Sequence, residues 1–172
     1  IWINPLANPD GTFNGNNNSV ANAKRSNGNN IDLNRNYPDP EDGPHPDGNA
    51  YQPETRIFMN FADSMDFVMA ANFHGGAEVA NYPWDTWQRR PADESWWIDE
   101  SGRFADSIQA KAPATYFNEL FGYPNIPGVV QGYDWYEVNG GRQDYMNWFH
   151  HCREFTVELS DVKILAANQL NN

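Results

Sequence analysis

Cysteine is almost missing from this sequence. Cys152 is the only one in 172 residues, so no disulfide can close within the chain, and cysteine usage leaves the redox compartment open. Basic charge is scarce as well. Eleven Lys and Arg stand against 23 Asp and Glu, a formal net charge of −12. That balance argues against a nucleic-acid partner, because phosphate binding needs a basic face and the basic residues here are scattered. Any that sit at a site are expected to bind specific anions. The acidity favours cationic partners or substrates, or serves solubility. No apolar run is long enough to span a membrane, and no signal peptide is recognisable. The first residue is Ile1 rather than Met, and residues 1–3 read as the tail of a strand. The expectation is a piece of a longer protein.

Aromatic residues are plentiful (7 Trp, 8 Tyr and 10 Phe), enough for a real core in a chain long enough for one domain, read here over 1–172. Residues 4–30 are rich in Asn, Gly and Pro and read as a long ordered loop. Residues 53–64 read as a helix: Pro53 suits the first turn, Glu54 favours the N-terminal dipole, and Ile57, Phe58, Phe61 and Met65 recur at helical spacing. Residues 66–73 follow as an apolar run that reads as a strand buried on both faces. Residues 78–90 read as an aromatic loop, 93–112 as a helix, 113–132 as loop and 143–150 as a short helix or turn. Residues 155–159 read as a buried strand rich in β-formers. The pattern is α/β, with a mixed, mostly parallel sheet and helices on both faces. No internal repeat is visible.

A few residues stand out against this background. His74 ends the apolar run and is followed by two glycines. Ligands bind at the carboxyl ends of strands in open α/β sheets, so His74 is a candidate metal ligand or acid/base, with a satisfied turn histidine as the plain alternative. Glu158 puts a carboxylate on a buried strand, which is costly unless the group is paired or functional. Arg25 and Arg35 lie ten residues apart, and Asn34 sits beside the second.

In order along the chain stand NPDG (8–11), DLNRNYP (32–38), PETR (53–56), NFHGG (72–76), VANYPWD (79–85), GYDWYEV (132–138), GGRQD (140–144) and EFTVELS (154–160). This set resembles the M14 family of zinc carboxypeptidases, in particular the branch that includes carboxypeptidases E, N, M and D. Each segment alone is weak; eight in family order are specific. The resemblance implies the family's α/β fold, with this chain as the C-terminal portion of the domain. It implies a Zn2+ cofactor and hydrolysis of the last peptide bond of peptide or protein C-termini. His74 matches a zinc-binding histidine, and Glu158 the general base on a zinc-bound water. Arg25 matches the arginine that steadies the developing oxyanion. Asn34 and Arg35 match the pair that grips the terminal carboxylate. Tyr136 matches the mobile tyrosine that closes over the bound residue, with Tyr133 and Tyr145 as rivals. Asp85 and Gln143 match the lining of the side-chain pocket, where a carboxylate favours a C-terminal Lys or Arg. Outside the resemblance, Asp85 reads as a turn-capping aspartate, Gln143 as a surface glutamine and Arg25 as a solvated loop arginine.

The family's first zinc ligands, in an HxxE motif, lie upstream of NPDG and are not in this sequence. A formal HxxE occurs at His151–Glu154, but residues three apart on a strand point to opposite faces, so it is rejected as a zinc motif. His45, His150 and His151 read as loop or surface histidines. The expected partner, besides peptide C-termini, is the missing N-terminal part of the same domain. The branch implies an extracellular or periplasmic location. Three other functions compete: a non-catalytic module that binds C-terminal peptides, an amidase or peptidoglycan peptidase on the same fold, and a structural or sugar-binding domain using the many tryptophans.

Overall fold

The computed structural model describes residues 1–164. Four strands form one sheet: β1 (Met69–His74), β2 (Ala77–Tyr82), β3 (Val129–Gln131) and β4 (Arg153–Ser160), in the order β1-β4-β2-β3. β1 runs parallel to β4 and β2 parallel to β3, while β2 and β4 are antiparallel. The sheet is mixed and mostly parallel. β4, the last strand among the described residues, inserts between the first two, so two strands joined by a short turn are not neighbours.

β4 is the buried spine, with Glu154 through Glu158 all buried. Its alternate residues serve two layers. Phe155 and Val157 join Ala80, Tyr82, Trp97, Ala105, Phe117 and Val129 in a cluster closed by α3 (Glu94–Gln109). Glu154 points the other way, to an ion pair with Arg142 at the start of α5 (Arg142–Phe149). On that face α2 (Pro53–Asp63) and α5 build a second cluster from Tyr37, Ala62, Tyr145, Met146 and Cys152. Helices thus cover both faces. Two single-turn α-helices and the 3-10 turn Leu33–Arg35 complete the inventory of the described residues. α1 (Pro9–Thr12) is capped by the Asn8 side chain, which accepts from Gly11 N–H, and α4 (Gly132–Trp135) by Gln131, which accepts from Asp134 N–H. NPDG is therefore the start of a capped helical turn.

Four expectations are corrected here. The run 66–73 is not buried on both faces: Val68 is 82% exposed and Phe73 62%. β1 is an edge strand, and the α3 layer packs chiefly on β2 and β3. A cleft of about 1380 Å³ runs along it, lined in part by Trp2, Phe61, Phe67, Met69 and Phe73. Residues 1–3 are exposed coil, not strand. The stretches read as loops at 78–90 and 113–132 contain β2 and β3, whose pairing partners lie far away in sequence. Lastly, His150 is more than a surface residue, since its Nε2 lies 2.7 Å from the Tyr145 hydroxyl.

Candidate active site

The parallel register of β1 and β4 sets His74 beside Glu158 at the carboxyl ends of both strands, with Val79 on the other side of Glu158. Glu158 Oε2 is buried and has no hydrogen-bond partner among the described residues. Burial pushes its carboxyl up to about 7, against the pull of Arg25 and Lys163. Such a group can take up and release a proton near neutral pH. Burial, reinforced by Arg25 and Arg142, holds the His74 imidazole down to about 4. At neutral pH it is uncharged, the form that ligates metal.

Arg25 stands at the rim. Its Nε donates to Asp32 Oδ2 at 2.6 Å, and Asp32 Oδ1 accepts from Asn34 N–H at 3.0 Å. One carboxylate thereby ties Arg25 to the 3-10 turn Leu33–Arg35 that carries the neighbouring pair. Asn34 Oδ1 accepts from Arg142 N–H at 2.9 Å. Only the amide oxygen can meet that N–H, so the side chain is held with Nδ2 free to donate. The Arg35 guanidinium donates once, to Asn34 O at 2.8 Å, and its remaining N–H groups carry no bond among the described residues. These two side chains present unspent donors, as a carboxylate ligand requires.

Asp85 and Gln143 are neither turn cap nor surface residue. Both are buried, and Asp85 Oδ1 accepts from Asn81 Nδ2 at 2.9 Å and from Gln143 Nε2 at 3.1 Å. Gln143 Oε1 in turn accepts from Thr156 N–H at 2.7 Å, which fixes the orientation of its amide. Burial raises the Asp85 carboxyl to about 7, opposed by Asn81 and Arg35. Gly132 has to be glycine here, because a Cβ would overlap Asp85 Oδ1. Beside Gly141, one point lies 3.7 Å from Asp85 Oδ2 and 3.9 Å from Asn34 Oδ1. The buried acid and the Asn34 side chain therefore both flank Gly141.

Tyr136 is 45% exposed and leans edge-on against Trp135. Burial raises its hydroxyl, and the charges that act on it are Arg35, Glu158, Asp85 and Arg25. The two rivals lie elsewhere: Tyr145 is buried against His150, and Tyr133 lines a separate hollow with Glu41 and Glu137. Arg25, Asn34, Arg35, His74, Asp85, Tyr136, Gln143 and Glu158 thus gather at one end of the sheet. Glu154 of the formal HxxE is wholly engaged with Arg142, at 2.8 Å and 3.0 Å. Sequence reasoning missed Asp32, Asp39 and Asp144, short acids in turns or a first helical turn, where they ordinarily read as caps, and Asn81, which lies on β2 in a stretch read as loop.

The described residues hold no group of three His, Cys, Asp or Glu able to bind a metal ion. A neutral imidazole beside an orphaned buried carboxylate oxygen fits one ligand and the base of a metal-assisted hydrolase; three protein ligands are the usual complement. No closed zinc site is built from these residues.

The family profile described as zinc carboxypeptidase matches residues 1–172. Carboxypeptidase SOL1 of Arabidopsis thaliana is 36% identical over 99% of this chain, which spans 33% of that protein. Carboxypeptidase N catalytic chain of Homo sapiens is 34% identical over 99% of the chain, spanning 43% of that protein. Human carboxypeptidase D is also 34% identical, with this chain spanning 13% of its length. Among solved structures, carboxypeptidase A from Helicoverpa armigera superposes with a TM-score of 0.66 at 19% identity, covering 94% of this chain and 42% of that one. Thrombin activatable fibrinolysis inhibitor gives 0.58 at 16% identity, covering 75% and 33%. The chain spans less than half the length of each of these proteins.

Proposed function

The chain belongs to the zinc carboxypeptidase family, and from that premise we propose that it forms the substrate-facing part of a metallocarboxypeptidase that releases C-terminal Lys or Arg. The observation that carries this reading is Asp85: a buried carboxylate with no basic side chain bonded to it among the described residues, flanking Gly141 together with Asn34. A buried acid without a cation is costly, and a ligand's ammonium or guanidinium would offset that cost.

Each residue then has a task. Arg35 and the free Nδ2 of Asn34 take the terminal carboxylate of the substrate. Asp85, steadied by Gln143, accepts the cationic side chain. Glu158 takes a proton from the attacking water and passes it to the leaving amine. Arg25 supports the negative charge that grows on the scissile carbonyl oxygen. Tyr136 closes over the bound residue and excludes water. A bound zinc would supply Lewis-acid polarisation, with His74 as the ligand this chain offers. The other ligands are assigned to a further part of the same domain, docked along the exposed edge of β1 and its cleft. We place the enzyme's work outside the cell or in the periplasm.

The test uses the full-length protein that contains this chain, loaded with zinc. Cleavage of a peptide ending in arginine, lost on blocking its carboxylate as an amide, is expected. Equal cleavage of arginine- and leucine-ended peptides would sink the specificity. The lack of a three-ligand cluster among the described residues favours one second reading, a metal-free module that binds C-terminal peptides. Binding that is unchanged by a chelator, with no turnover, would establish that reading instead.

A further inference from the structure

The Asp85-Thr86 turn is itself gripped by two other buried carboxylates, Asp144 on its backbone and Asp39 on the Thr86 hydroxyl. Asp144, with no exposed surface, accepts from Asp85 N–H at 3.1 Å and 2.9 Å through its two oxygens, and from Thr86 N–H at 2.8 Å. The Thr86 hydroxyl donates to Asp39 Oδ1 at 2.8 Å, and Asp39 Oδ2 accepts from Gly140 N–H at 2.8 Å. Asp39 is 2% exposed and Thr86 likewise. Gly140 adopts φ +71°, and a Cβ there would overlap Arg35 O, so this turn abuts the Arg35 backbone. The two acids thus brace the Asp85-Thr86 turn from the α5 side and from the 39–43 turn. Asn81 and Gln143 hold the Asp85 side chain itself.

Three carboxylates within one buried network are an unusual expense for a simple turn. A turn of neutral amides would satisfy the same N–H groups without desolvated charge. Asp144 also has no cationic partner among the described residues, only N–H donors. Burial and the neighbouring Asp85 hold the Asp144 carboxyl well above the usual carboxylate range, so what it contributes is the acceptors that fix the Asp85-Thr86 backbone and, with it, the direction in which Asp85 meets a cationic side chain.

We propose that Asp144, with Asp39 acting through Thr86, is a positioning residue for Asp85 and sets the preference for cationic over neutral C-terminal side chains. This rests on the Lys/Arg reading of the pocket given above.

The measurement is the ratio of kcat/KM for an arginine-ended peptide to that for a leucine-ended one, in the full-length zinc-loaded protein. Asp144→Ala removes both acceptors and is expected to lower the ratio on the order of tenfold, chiefly through KM for the arginine peptide. Asp144→Asn keeps one oxygen for the two N–H groups and is expected to recover part of that loss. Thr86→Val breaks the link to Asp39 and should lower the ratio by a smaller factor. Equal losses on both substrates mark a merely structural role and overturn the proposal, as does an unchanged ratio. Should Asp144→Ala fail to fold, Asp144→Asn and Thr86→Val decide by the same criterion. Asp85→Asn separates this idea from its premise. If it leaves the ratio unchanged, the Lys/Arg reading falls; if it lowers the ratio while the Asp144 and Thr86 variants do not, only the bracing role falls.

Discussion

Arg25 and Asp32 form a 2.6 Å charge-assisted hydrogen bond, and the same Asp32 caps the turn that presents Asn34 and Arg35. The pair is half-exposed, so its weight in stability is small, at most about 1 kcal/mol. In the proposed reaction its weight is larger, because it would aim the Arg25 guanidinium at the place where charge develops. Asp32→Asn should lower kcat by roughly tenfold while Tm moves little, and Arg25→Ala should cost on the order of a hundredfold or more in kcat. Steady-state kinetics beside a thermal melt read both. A fall in Tm that matches the fall in activity would make Asp32 a structural residue only.

Glu158→Gln is expected to remove turnover by at least a hundredfold while a peptide ending in arginine still binds, as measured by calorimetry. The same variant has a pH signature in the metal-free protein. Burial raises the Glu158 carboxyl from 4.5 to about 7 in the folded chain. The neutral form is therefore favoured by folding, a contribution present below pH 4.5 and lost as pH rises through 7. Glu158→Gln should melt higher than the parent at pH 8 and show no such gain at pH 4.

His74 has the opposite sign. Its folded pKa lies near 4, below the ordinary 6.5, because burial and Arg25 disfavour the imidazolium. Its contribution is complete above pH 6.5 and lost as pH falls toward 4. Replacing it with glutamine should flatten that acid limb of a Tm-versus-pH curve. The same variant in the full-length protein should lose bound zinc, read by metal analysis; retention of one zinc per domain would remove His74 from the ligand set.

The Arg142–Glu154 pair lies beneath β1, with Glu154 fully buried and Arg142 also donating to Ala71 O at 3.2 Å. Breaking it from one side leaves an unpaired buried charge. Glu154→Gln should destabilise by about 3 kcal/mol or more, whereas replacing both partners with apolar residues should cost less. Denaturant titration of the single and double variants compares the two. This pair anchors the start of α5, from which Arg142 N–H holds Asn34, so a rise in KM for the peptide is expected alongside the loss of stability.

The sequence by itself determined the helices α2 and α3 and the spine strand β4, each within a few residues, because their signals are local, and left α5 open as a short helix or turn. Proline at the first turn, apolar residues at helical spacing and a run of β-formers need no distant partner to be read. It also named candidates for chemistry: His74 and Glu158 stand out by residue type and place in the chain, and Asn34, Arg35 and Asp85 by the resemblance of the motifs around them to the family's. What only the tertiary structure decided depends on β4 arriving last and inserting between β1 and β2. That insertion makes 77–82 a strand, leaves β1 at an edge with Phe73 exposed, and sets His74 opposite Glu158. It likewise turns Asp39, Asp85 and Asp144 from three ordinary turn and cap residues into one buried network. Contacts between residues 50 to 100 apart leave no periodicity in the sequence, and a short acidic side chain looks the same whether it caps a turn or braces a pocket.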